Sequence, residues 1–82
     1  MTLTEAAIEI RVSIDYVRKA VKRLAVASAV LTEAGDENRV DLLQVISSLE
    51  DECENLENVA GNVETSGWQN DKEYNISNTQ TL

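Results

Sequence analysis

The sequence predicts an all-α protein: an antiparallel two-helix hairpin, about residues 3–34 and 39–60, that dimerises into a four-helix bundle. The chain has 82 residues, no proline and only three glycines, which favours long helices. Large apolar residues recur every seven positions in both halves, as in helices that pack side by side. A chain this short with one cysteine has a marginal core, so we expect a second copy to complete it.

The first helix has clear start and stop signals. Thr2 followed by Glu5 matches a capping box, in which the threonine side chain accepts a backbone N–H of the first turn. No glycine or proline interrupts residues 3–34, and Gly35 then supplies a residue suited to the left-handed conformation that ends helices. These signals predict one continuous helix.

The second helix is predicted to follow the polar turn Asp36-Glu37-Asn38, with Asn38 or Asp36 as its N-cap. Gly61 is predicted to end it. The hairpin domain would then cover residues 1–63, and residues 64–82, rich in Asn, Thr and Ser, would form a flexible acidic and polar tail. Trp68 and Tyr74 are the candidate recognition residues of this tail, which either docks on the bundle or orders on a partner.

The apolar repeats predict how the two helices meet. Folding the chain at the turn pairs Leu31 with Leu42 and Leu24 with Leu49, so the bulky positions align. The bulky positions are Leu3, Ile10, Val17, Leu24 and Leu31 in the first helix and Leu42, Leu49, Leu56 and Val63 in the second. The same register faces a small row, Ala6, Ser13, Ala20, Ala27 and Ala34, with Ile46, Cys53 and Ala60. Alternating large and small layers let helices approach closely.

Some apolar residues of the first helix are surplus to this hairpin. They are Ala7, Ile14, Val21, Val26 and Val30, and we predict that they form a homodimer or partner interface. This general plan resembles the small plasmid RNA-binding regulators of the Rop type, which are also dimeric helical hairpins. The resemblance implies shared architecture only, because no motif accompanies it.

Nucleic-acid binding is the main alternative function. Residues 3–7 with Val12 and Val17 loosely resemble the helix-turn-helix of excisionase-like and MerR-like regulators, although Arg11 stands where the turn usually has glycine. Residues 8–14 alternate apolar and polar, so a strand there would suggest a ribbon-helix-helix protein. In either case the phosphate contacts would come from Arg18, Lys19, Lys22 and Arg23.

Charge and composition favour protein–protein contact instead. The net charge is −8 and the acidic residues crowd the second half, so that half repels nucleic acid and anionic lipid. The chain lacks histidine, and Cys53 is predicted to be a core residue, so we expect no enzyme, metal or cofactor. We expect a cytoplasmic, non-membrane adaptor, regulator or inhibitor that binds itself and another protein; an acidic DNA-mimic inhibitor is a further alternative.

Overall fold

The computed structural model describes the backbone of residues 1–81 and the side chains of residues 1–68. It contains two helices, α1 (Leu3–Ala34) and α2 (Arg39–Thr81), which pack against each other as a hairpin. The Cα atoms span 71 × 14 × 12 Å, so the molecule is long and one helix pair thick. The predicted all-helical hairpin is confirmed.

Helix α1 begins as the sequence predicts. Thr2 has an extended backbone, and its side chain accepts the backbone N–H of Glu5 at 3.1 Å. Residues 8–14 lie well inside α1, so the alternative strand at this place is wrong, and α1 has no break at Arg11. The physical reason is burial: Ala7 and Ile14 must share one face to reach α2, which helical periodicity allows over seven residues and strand alternation does not.

The turn between the helices is built on a left-handed glycine. Gly35 has φ of 69°, its N–H donates to the Thr32 carbonyl at 3.1 Å, and the next N–H, of Asp36, donates to Leu31 at 2.9 Å. This Schellman arrangement closes α1. The carboxylate of Asp36 then accepts from the backbone N–H of Asn38 at 2.8 Å and from its side-chain amide at 2.9 Å. Asp36, rather than the Asn38 side chain, therefore organises the start of α2.

Helix α2 is longer than the sequence predicts. We expected it to end at residue 60, but it continues through Gly61 to Thr81. One glycine inside a helix costs only about 1 kcal/mol, which packing can offset. That packing reaches Gly67, which is buried against the start of α1. The flexible tail stays a prediction, because the side chains from residue 69 onward, and Leu82 entirely, lie outside the described residues.

Two rows from each helix form the contact between them. The buried row comprises Ala7, Ile14, Val21 and Ser28 of α1 with Ile46, Cys53, Ala60 and Gly67 of α2; all are buried except Val21, which is half-buried. The leucine row comprises Ile10, Val17, Leu24 and Leu31 with Leu42, Leu49, Leu56 and Val63; all eight are half-buried. No side chain larger than alanine is fully buried among the described residues. The hairpin therefore has a narrow core of its own.

Candidate interaction surfaces

One side of the hairpin is closed by ion pairs, and we call it the paired side. Arg11 Nε donates to Glu64 Oε1 at 2.6 Å, and Arg18 pairs with Glu57 one heptad further along. All four side chains follow a buried-row residue by four positions, so the two pairs lie beside the buried row. The contact with Arg11 lowers the pKa of the Glu64 carboxyl and raises the pKa of the Arg11 guanidinium.

The opposite side of the hairpin, which we call the open side, is apolar. The leucine row lies at its floor, and α1 lines one edge with the alanine row: Ala6, Ser13, Ala20, Ala27 and Ala34. Apart from half-buried Ala6, these residues are exposed. The hydroxyl of Ser13 donates to the Glu9 carbonyl within its own helix, which reduces the free polarity of this edge. Val45 and Val59 of α2 line the other edge, with Glu52 between them.

The prediction that Ala7, Ile14 and Val21 are left over from the hairpin is wrong. Ala7 is 0% and Ile14 4% exposed in a single chain, because they belong to the buried row. The alanine row and the buried row flank the bulky positions of α1 at similar angles, about 50° to either side. Burying Ile14 and Val21 removes more apolar surface from water than burying Ser13 and Ala20, so packing selects the buried row.

The other two predicted interface residues lie elsewhere. Val26 and Val30 are 67% and 59% exposed. Val26 follows Val21 by five positions, which places it about 140° around the helix. The five predicted interface residues therefore do not form one surface: three face α2, and two face away from it.

The four basic residues predicted to contact phosphate, Arg18, Lys19, Lys22 and Arg23, lie within about 140° of the circumference of α1. Arg18 is engaged by Glu57, and Lys19 Nζ lies 5.8 Å above the ring centroid of Tyr16. Lys22 and Arg23 are exposed and form no ion pair within the described part of the chain. Nucleic-acid binding by this cluster stays a prediction, but the helix-turn-helix and ribbon-helix-helix arrangements that suggested it are absent from the continuous α1.

Cys53 is 3% exposed in the buried row, which confirms its predicted place in the core. Among the side chains of residues 1–68, no group of three or more His, Cys, Asp or Glu residues is placed to hold a metal ion. Trp68 is 62% exposed on α2. Tyr74, the second predicted recognition residue, lies outside the described side chains.

Sequence reasoning did not single out the open side as a candidate interaction surface. Its signal was present in the sequence: the alanine row runs beside the bulky positions for the whole of α1, and Val45 and Val59 accompany the leucines of α2. The described helices include none long and apolar enough to cross a membrane. Comparison with protein-family models, curated proteins and solved structures finds no match to this chain.

Proposed function

We propose that this protein is a small, non-enzymatic homodimer that acts by binding another protein, as an adaptor, regulator or inhibitor. In the dimer, the open side of one hairpin packs on the open side of the other to form a four-helix bundle. The observation that carries the proposal is that all eight leucine-row side chains are half-buried along this one side. A stripe of this length is the surface that helix bundles bury between their layers.

The shape of the open side supports a second copy as its occupant. A twofold axis brings the same surface of both chains together, so the surface must complement itself. The exposed alanine row leaves space beside the leucine row, and in the proposed dimer Val45 and Val59 of the other copy would pack into this space. Few charges need to be desolvated, because Glu52 is the one acidic residue between those valines.

A matched pair of substitutions tests this face. Ala27 and Ala29 are both exposed in α1, but the two positions are about 200° apart, so that only Ala27 lies on the open side. We expect Ala27→Asp to yield monomer in light-scattering chromatography, because it buries an unpaired carboxylate in the dimer. We expect Ala29→Asp to stay dimeric.

The unfolding midpoint provides a second readout. For a dimer, stability is linked to protein concentration, and a tenfold dilution lowers it by about 1.4 kcal/mol. We expect this dependence in the native chain and in Ala29→Asp, and its loss in Ala27→Asp. A monomeric native chain, or a dimer that survives Ala27→Asp unchanged, would refute the open side as the dimer face.

A further inference from the structure

Helix α1 carries a second exposed surface, which we call the outer stripe. It comprises Ile8, Val12, Tyr16, Lys19, Arg23, Val26 and Val30. The five large apolar members are between 43% and 69% exposed. At about 100° per residue, all seven positions fall within roughly 80° of the helix circumference and extend for about 33 Å along it. A soluble helix normally presents polar residues on this face.

The outer stripe points away from both contacts described above. The buried row and the leucine row lie on the opposite face of α1, so α2 does not cover the stripe. The open side lies at the flank of α1, so the proposed dimer does not cover it either. A partner that covers Ile8 and Val30 would remove their exposed apolar surface from water, which favours binding.

The distribution of charge along the outer stripe indicates which kind of partner would complement it. Lys19 and Arg23 occupy its centre, while Ile8 and Val12 lie at one end and Val26 and Val30 at the other. Glu5 lies in the same sector one turn before Ile8, so the basic charge is confined to the centre of the stripe, in a chain whose net charge is −8.

The hairpin's own carboxylates do not neutralise this centre. Glu57 and Glu64 pair with Arg18 and Arg11 on the paired side. Lys19 lies over the ring of Tyr16, a cation–π contact, and makes no ion pair among the described side chains. Asp15, at the edge of the stripe, forms no ion pair there either. The centre therefore keeps its positive charge for a partner.

We propose that the outer stripe binds an amphipathic helix of another protein, with an acidic centre and apolar residues at both ends. Such a helix buries its apolar residues against the two ends of the stripe and places its carboxylates against Lys19 and Arg23. This complementarity selects the partner and its register more than it adds affinity. The inference rests on the proposed function only in assuming that the chain acts by binding another protein. It does not require the dimer.

The test uses the full chain and two synthetic helical peptides. Both peptides carry leucines at the two ends of one face; one has glutamates at the centre of that face and the other has lysines. Binding is measured by fluorescence anisotropy of labelled peptide, and the contact surface by amide chemical shifts of the ¹⁵N-labelled protein. We expect the acidic peptide to bind at least about tenfold tighter, a difference of about 1.4 kcal/mol. Its shift changes should centre on the outer stripe.

Two charge reversals of equal size serve as variant and control. Arg23 lies in the stripe, whereas its neighbour Lys22 lies about 100° away toward the paired side. We expect Arg23→Glu to weaken the acidic peptide about tenfold and to improve the lysine peptide, with Lys22→Glu within about twofold of the native chain. Equal weakening by both reversals would contradict a located contact.

Other outcomes overturn the proposal in distinguishable ways. Shift changes along the open side would assign the peptide to the dimer face instead. Stronger binding to vesicles containing phosphatidylserine than to the acidic peptide would make the stripe a lipid surface, and tighter binding of a DNA duplex would restore the nucleic-acid alternative. If neither peptide binds, the proposal that the outer stripe binds an amphipathic helix is refuted as well. Light scattering of the same samples tests the dimer separately, so a monomer that still binds the acidic peptide would overturn the dimer alone.

Discussion

The two sides of the hairpin complete the contact between α1 and α2 in different ways. On the paired side, Arg11–Glu64 and Arg18–Glu57 bridge the helices beside a row that is almost entirely buried. On the open side, the leucine row is only half-buried, and the small residues of the alanine row flank it on α1. Two helices have one shared interface, so they bury one row well and leave the next one partly exposed. The open side is therefore the face on which we propose that the two helices of a second copy pack.

The largest difference between the sides is expected in the stability of the single chain. Ile14 is 4% exposed in the buried row, so Ile14→Ala should lower the free energy of unfolding by about 2–5 kcal/mol. Val12 is exposed on the outer stripe, so Val12→Ala should change the free energy of unfolding by about 0.5 kcal/mol or less. Urea titration at one protein concentration measures both. Equal losses would show that the buried row is not the core.

Two glycines of α2 sharpen the comparison at a smaller scale. A Cβ on Gly61 would meet nothing within 4 Å, so Gly61→Ala should stabilise the helix by about 0.5–1 kcal/mol. A Cβ on Gly67 would lie 3.1 Å from Leu3 Cβ and 3.2 Å from the Thr4 backbone nitrogen. We therefore expect Gly67→Ala to push α2 away from the start of α1, and this strain should cancel the stabilisation expected of Gly61→Ala. Thermal unfolding of the two variants compares them, and an equal gain at both positions would contradict the close approach.

The smallest expected effect concerns pH on the paired side. Because Arg11 lowers the pKa of Glu64 in the folded chain, this contact stabilises the fold above the ordinary glutamate pKa of 4.5. The stabilisation is lost as the pH falls below that value through the lowered pKa. Glu64→Gln should therefore unfold more easily than the native chain at neutral pH, and the two midpoints should converge at low pH. Parallel pH profiles would show that the pair contributes nothing measurable.

The sequence predicted the local features of this fold closely. The capping box at Thr2, the left-handed Gly35 and the uninterrupted stretch between them depend on neighbouring residues, and all three occur as expected. The bulky positions of both helices also lie in the contact, as the seven-residue repeat indicates. Cys53 is in the core as predicted.

The prediction failed where a choice depended on a distant residue. Gly61 was expected to end α2, but it keeps a helical backbone, and Gly67 beyond it packs against residues at the other end of the chain. The assignment of Ala7 and Ile14 to a dimer surface failed for a similar reason. Two rows flank the bulky residues of α1 symmetrically, and periodicity alone assigns both the same likelihood of facing α2.

Helical periodicity is a property of neighbouring residues, so it is sufficient to tell which residues share a face, where α1 begins and where the chain turns. Which face of α1 packs against α2 is decided only by the contact between the two helices. α2 packs against the row that buries more apolar surface, Ile14 and Val21, and leaves Ser13 and Ala20 outside. That rotation of α1 closes the paired side with charges and leaves the leucine row half-covered on the open side, a division that only the two packed helices together could establish.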